Sequence, residues 1–252
     1  MAPILISIEG NIGSGKSTLL DHLKTHLKVA GARKIIYVDE PVSEWNTITD
    51  ENNRGMLELF YENPKKYAFS FQMMAYISRL ANMQNAIKKH PNHIILMERS
   101  LLTDYHVFAK MLHEKGDLLH EEFAIYKKWF HHFNTIPMDG LIYLETTPEV
   151  ALARCNKRNR QGETISLEYL KELHDRHENW IHEVETRPYL HIDNDSTELD
   201  DALFAVEDFL EETCLYTDDM GYFMNHIYSS YSYSRIMMCW FFFTIYSVLK
   251  KA

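Results

Sequence analysis

The chain has 252 residues, 46% hydrophobic and 25% charged, with a formal net charge of −10. That composition excludes a disordered or fibrous chain and suits an α/β domain with a real core. The acidic balance argues against a nucleic-acid partner, and three widely spaced cysteines, Cys155, Cys214 and Cys239, exclude a disulfide framework or a CxxC metal site.

The first apolar run, Ile4–Ile8, reads as a buried strand, and no charged leader precedes it, so a cytoplasmic protein is expected. Next comes Gly10-Asn11-Ile12-Gly13-Ser14-Gly15-Lys16-Ser17, a match to G-x-x-x-x-G-K-[ST], with Thr18 inside a helical pattern over Ser17–Lys28. A strand before and a helix after are the context this motif requires. Its glycines let backbone N–H groups turn inward onto phosphate oxygens, and the helix N-terminus adds partial positive charge. Lys16 is expected to reach the β- and γ-phosphates and Ser17 to ligate Mg²⁺, so a nucleoside triphosphate is the expected ligand.

A second strand, Ile35–Val38, runs into Asp39 and Glu40. The segment Arg54–Lys89 is helical, broken at Pro64, and rich in aromatic residues and Met. Within it Gln72, Ala75 and Arg79 share a face, which fits a pocket wall or a polar pair satisfied in the core. A third strand, Ile94–Met97, stops on Glu98-Arg99-Ser100 and passes into a helical stretch, Leu101–Leu112. In a doubly wound sheet the carboxyl ends of strands line the ligand crevice. Glu40, Glu98 and Arg99 therefore belong on the same edge as the phosphate loop, where one carboxylate can take a hydroxyl proton and another help hold Mg²⁺.

Farther on lie a helix over Glu121–Phe133, a strand at Leu141–Leu144 and a helix over Pro148–Lys157. Arg154, Lys157, Arg158 and Arg160 form a local basic cluster that fits a solvated face, a nucleic-acid patch or a lid over transferring phosphates. Beside a phosphate loop the lid is favoured. The base-reading Asn-Lys-x-Asp run of GTPases does not occur. The helix Leu167–Val184 reads as exposed; its His174 and His177 are spaced i, i+3, as a metal site allows, but the sequence offers no third ligand. A strand at Tyr189–Ile192, which reads as buried like the others, and a helix over Leu199–Leu210 complete the alternation. The expected fold is α/β: a five-stranded parallel sheet with helices on both faces, a phosphate loop and an arginine-rich lid, with GTPase, ATPase and kinase all still open.

Five segments together, "IEGNIGSGKST", "EPVSEW", "LFYENPKKYAFSFQ", "ERS" and "RCNKRNR…ETISLEYL", resemble the deoxynucleoside kinase family, in particular its deoxycytidine/deoxyguanosine kinase group. They stand in family order over roughly Ile4–Leu210. The resemblance implies a P-loop kinase fold and transfer of the ATP γ-phosphate to the 5′-hydroxyl of a deoxynucleoside, with Mg²⁺. It makes Glu40 the general base, oriented by Arg99, and gives Lys16 and Arg158 catalytic roles. Glu98 and Ser17 support the metal, and Arg154, Arg158 and Arg160 belong to the lid. Gln72 meets the nucleobase edge; Trp45, Leu57, Phe71 and Phe108 enclose the ring; Tyr61 and Glu163 hold the sugar. Arg79 and Asp104 match positions that set base preference and point to purine deoxynucleosides and deoxycytidine over thymidine. The lid departs from the family in being one residue short, with Gly162 where an acid is common. The family also implies a homodimer. A nucleoside monophosphate kinase and a catalytically silent subunit are the competing readings.

The kinase domain is expected to span residues 1–220, with an apolar tail over 221–252. In that tail Ile236–Leu249 reaches only about 21 Å as a helix, short of the roughly 30 Å hydrocarbon core. It fits an interfacial anchor, an extra packed helix or a segment outside the native folded unit. The last two are favoured over membrane contact.

Overall fold

Five short runs of branched aliphatic residues become five strands: β1 (Ile4–Glu9), β2 (Ile35–Val38), β3 (Ile94–Glu98), β4 (Gly140–Glu145) and β5 (Tyr189–Asp193). They form one sheet in the order β2-β3-β1-β4-β5, every pair parallel. The structure, a computed structural model, describes residues 2–29, 32–160, 162–183 and 188–230. Residues 2–213 make up one compact unit that contains the whole sheet. The helix α10 (Leu199–Ser230) starts in it, and residues 214–230 belong to a second unit. The apolar tail segment Ile236–Leu249 lies outside the described residues, among which no helix is long and apolar enough to cross a membrane.

Around the sheet run α1 (Lys16–His26), α2 (Val42–Trp45), α3 (Met56–Glu62), α4 (Pro64–Lys89), α5 (Leu101–Thr103), α6 (Lys110–Glu114), α7 (His120–Phe133), α8 (Pro148–Arg158) and α9 (Leu167–Glu183). Local chemistry sets their ends. Asn63 accepts from the Lys66 N–H and Pro64 sits in the first turn, so α4 starts there as a new helix after α3. Asn159, at φ 46°, closes α8 in the left-handed conformation. Between α5 and α6, Asp104–Ala109 is a π-helical segment, an irregularity within a stretch expected to be one regular helix.

Strand register builds the functional edge. Ile8 lies opposite Glu98, and the Arg99 N–H donates to the Ile8 carbonyl at 3.0 Å. Val38 lies opposite Met97, so the chain leaving β2 delivers Glu40 beside Arg99, whose Nε stands 3.2 Å from its Oε1. β1 is central, between β3 and β4, and the phosphate loop leaves its carboxyl end at the point where the strand order reverses.

Two expectations need correction. β5 is an edge strand, and Tyr189 is 39% exposed, because only β4 pairs with it. The helix α9 is not exposed throughout: His174 is half-buried, and His177 is fully buried, with Nδ1 2.7 Å from the Leu173 carbonyl, against Phe108 and Tyr143. The core packs around that face, and burial holds the His177 imidazole neutral, well below its ordinary pKa.

The phosphate loop packs tightly onto α8. Gly13 has φ 76°, and a Cβ there would meet the Ala151 carbonyl oxygen and lie 2.7 Å from Cys155 Sγ. The Ala151 oxygen belongs to a helix backbone and cannot swing away. Gly13→Ala should therefore lower stability by about 1–3 kcal/mol. Urea denaturation measures this, and an unchanged midpoint would show that the loop can re-form away from α8.

Candidate active site

Over the carboxyl edge of the sheet opens a cavity of about 440 Å³. Its lining gathers side chains from most of the chain: Lys16, Ser17 and Thr18 of α1, Glu40, Trp45, Leu57 and Tyr61, the α4 face, the β3 tip and the lid. Ile12, Gly13 and Gly15 of the loop also line it, while Gly10, Asn11 and Ser14 are not among its lining residues. Asn11 and Ser14 are buried; the Asn11 side chain ties α9 to the loop through the Leu170 carbonyl at 2.9 Å.

At one end lies a buried chain of charge. Glu40 Oε1 accepts from Arg79 at 2.8 Å and faces Arg99 Nε at 3.2 Å. Arg79 also donates to both oxygens of Asp104, and Arg99 donates to the Gly10 carbonyl at 2.8 Å. Side-chain exposures of 5% for Arg79, 5% for Asp104 and 4% for Arg99 mean that these charges have exchanged water for one another. Burial pushes Glu40 toward protonation, but Arg99 and Arg79 outweigh it and hold its carboxyl below the ordinary glutamate range. Arg99 adopts φ 65°, a left-handed turn uncommon outside glycine. Its three anchors, at Ile8, Gly10 and Glu40, hold it there. Its guanidinium also lies 5.1 Å from the Phe108 ring centre.

The phosphate end is built differently. Lys16 Nζ folds back to the carbonyls of Gly10 at 3.1 Å and Asn11 at 2.6 Å. Burial, with help from Arg99, pulls this ammonium down to about 7, against the pull of Glu98, Glu40 and Glu9. Ser17 Oγ donates to Glu98 Oε1 at 2.9 Å, so a hydroxyl and a carboxylate converge on the loop. Two hard oxygen donors suit Mg²⁺.

The lid arginines divide. Arg158 pairs with Glu163 at 2.5 Å and Arg160 stands 3.6 Å from the same carboxylate, so one acid holds both cations at the cavity mouth. Arg154 instead donates to the Asn194 carbonyl at 3.0 Å and, at longer range, to Ser14 and Thr146, and serves as a strut between loop, β4 and β5. Gly162, at φ 75°, lies where a Cβ would come within 2.5 Å of the Glu58 side chain. The lid thus seats on α3 only because that residue lacks a side chain.

At the other end the walls are aromatic. Phe60 and Phe71 stack at 4.8 Å, Trp45 meets Phe71 edge-on at 5.4 Å, and Trp45 Nε1 donates to Ser78. The α4 face carrying Gln72, Ala75 and Arg79 turns into the cavity, which decides between pocket wall and core pair in favour of the wall. Gln72 is 3% exposed and its Oε1 has no hydrogen-bond partner, as a residue awaiting a polar ligand would be. Tyr61 also lines the cavity, and burial raises its hydroxyl pKa well above the ordinary value.

Sequence reasoning passed over three participants. Phe60 and Tyr169 line the cavity without an assigned role. Glu9, fully buried, accepts from the Ser100 N–H at 2.9 Å and from the Thr103 hydroxyl, fastening β1 to the turn after β3. The rule that singled out Glu40 and Glu98, an acid at a strand's carboxyl end, applies equally to Glu9 at the end of β1.

Residues 6–215 match the family "Deoxynucleoside kinase". The chain is 35% identical over 222 residues to the protein called "Probable deoxycytidine kinase" in Fowlpox virus, covering 82% of this chain and 88% of that one. It is 35% identical to deoxycytidine kinase of Homo sapiens over 198 residues, 70% of this chain and 74% of the relative. It is 32% identical to mitochondrial deoxyguanosine kinase of Xenopus laevis over 197 residues, 70% and 72% of the two chains.

With its ammonium near 7, Lys16 is largely neutral at about pH 8.5, and an arriving triphosphate restores the charge that burial disfavours. Triphosphate binding should therefore take up a large fraction of a proton near pH 8.5 and little near pH 6. Calorimetry in buffers of different ionisation enthalpy reads that uptake, which Lys16→Ala should remove. A buffer-independent enthalpy in the wild type at the higher pH would mean that Lys16 stays charged throughout.

Proposed function

The chain belongs to the deoxynucleoside kinase family, and we propose on that footing that its cavity passes the γ-phosphoryl group of ATP to the 5′-hydroxyl of deoxycytidine or a purine deoxynucleoside, with Glu40 as base. The observation that carries this is the placement of Glu40, pinned between Arg79 and Arg99 in the same cavity as Lys16 and Ser17. An acceptor hydroxyl needs a carboxylate there. An acceptor phosphate, as in a nucleoside monophosphate kinase, needs cations free to meet it, and these two arginines are already committed to Glu40 and Asp104.

Glu40 takes the 5′-hydroxyl proton while the hydroxyl oxygen bonds to the γ-phosphorus, and the bond to the β-phosphate oxygen breaks to release ADP. A carboxylate held below its ordinary pKa is a weak base, so the proton moves late in that step, as bonding to phosphorus acidifies the hydroxyl. Arg99 holds the base in place from a rigid strand end. Lys16 and the loop N–H groups cradle the donor phosphates, and Arg158 and Arg160 leave Glu163 to meet transferring charge. Ser17 and Glu98 are the residues that would hold Mg²⁺, which supplies charge compensation to the phosphate oxygens when bound. Tyr61 and Glu163 take the sugar, and Gln72 the base edge.

Arg79 and Asp104 set the base preference in this reading. Their paired charges can hydrogen-bond an amino or keto group and leave poor room for the thymine methyl. The same reading extends to a cytoplasmic homodimer. Ile77 of α4 and Ile125 and Trp129 of α7 support the dimer, being exposed on two helices that pack together through the Tyr76 hydroxyl and the Trp129 carbonyl.

Glu40→Gln should reduce kcat by at least about 10²-fold while ATP affinity changes little. Turnover close to wild type would remove Glu40 as base. A steady-state panel of the four deoxynucleosides should place thymidine about tenfold or more below deoxycytidine or a purine in kcat/KM. A preference for thymidine would overturn the role given to Arg79 and Asp104.

A further inference from the structure

Away from the cavity, the described residues bring together one group of potential metal ligands: Glu145, His174 and Glu178, with donor atoms all within 4.8 Å of one another. His174 and Glu178 are i, i+4 neighbours on α9, and Glu145 ends β4. The sequence pairs His174 with His177 and finds no third ligand. Folding changes both halves of that reading, because His177 turns into the core and two carboxylates take its place.

The two acids are already oriented from outside the group. The Tyr143 hydroxyl donates to Glu178 Oε1 at 2.5 Å, and His191 Nε2 lies 2.6 Å from Glu145 Oε2. Each carboxylate keeps a second oxygen, and neither has a Lys or Arg partner among the described residues. His174 Nδ1 is shielded from solvent and has no hydrogen-bond partner. A half-buried pair of acids with no Lys or Arg partner among the described residues, beside an imidazole nitrogen without a hydrogen-bond partner, sets three electron-pair donors near one another with no shared acceptor. A divalent ion supplies that acceptor. We propose that Glu145, His174 and Glu178 form a structural site for a borderline divalent metal of the Zn²⁺ class. One imidazole and two carboxylates match that class better than Mg²⁺, which takes oxygen ligands. Metal–ligand distances near 2.1 Å require the three donors to close by about an ångström, a movement that partly exposed side chains allow.

The site has a bearing on the cavity. The Asn194 N–H donates to the Glu145 carbonyl at 2.9 Å, Asn194 Nδ2 to the Ser14 carbonyl at 2.7 Å, and the Thr146 hydroxyl to Ser14 at 3.3 Å. A metal clasping β4 to α9 therefore braces the strand end from which the phosphate loop is supported.

The test uses the full chain, stripped of metal and free of nucleotide, with Co²⁺ as a spectroscopic probe and Zn²⁺ as competitor. One equivalent of Co²⁺ should give visible ligand-field absorption that one equivalent of Zn²⁺ abolishes. Zn²⁺ should raise Tm by about 5 °C or more at saturating concentration. His174→Ala and Glu178→Gln should each lose the absorption and the Tm shift while keeping the wild-type circular dichroism; His174→Gln serves if the alanine variant misfolds. His132→Ala, on α7, should keep both signals. Absence of the bands in the wild type, or their survival in both site variants, overturns the proposal. The second result would place the ion elsewhere among the 14 histidines.

Discussion

The site depends on a carboxylate held between two guanidiniums. Glu40 alone would be a costly buried charge, and so would Arg79 and Arg99. Linked as Asp104–Arg79–Glu40–Arg99, each charge is compensated, and the chain ties the π-helical segment, α4, the end of β2 and the end of β3 into one unit. Arg99 extends the linkage to the phosphate loop through Gly10. In the proposed reading, base recognition, proton removal and phosphate binding share one electrostatic framework, so a change at the nucleobase end is felt at Glu40. The left-handed turn at Arg99 fits this view: local strain is tolerated where surrounding contacts over-determine the conformation.

The phosphate end shows a complementary economy of positioning. Lys16 waits on its own loop carbonyls, and Glu163 keeps Arg158 and Arg160 together near the mouth. Arg154, which also lines the cavity, is tied instead to the Asn194 carbonyl and the Thr146 hydroxyl. The segment after α8 rests against α3 at Gly162, where Glu58 leaves no space for a side chain.

Legibility varied with how local each signal is. The phosphate loop is contiguous, with its strand and helix beside it, so its role could be read directly. Glu40, Glu98 and Arg99 were legible through one general rule about the carboxyl ends of parallel strands, and the same rule, applied once more, finds Glu9. Gln72 and Arg79 stayed ambiguous because helical spacing gives a shared face without saying what the face meets. The exposure of β5 and the burial of His177 were misread for a related reason, since both depend on which element packs alongside.

By itself the sequence determined the alternation of strands and helices, the triphosphate loop and the acids at strand ends, because each follows from residues adjacent in the chain or repeated at a helical or strand period. Only the tertiary structure decided that Arg79 shares itself between Glu40 and Asp104 and that Glu145 joins His174 and Glu178. Those are contacts between side chains far apart in sequence. Their existence depends on strand order, on register and on the direction each helix face takes when it packs, none of which a local pattern encodes.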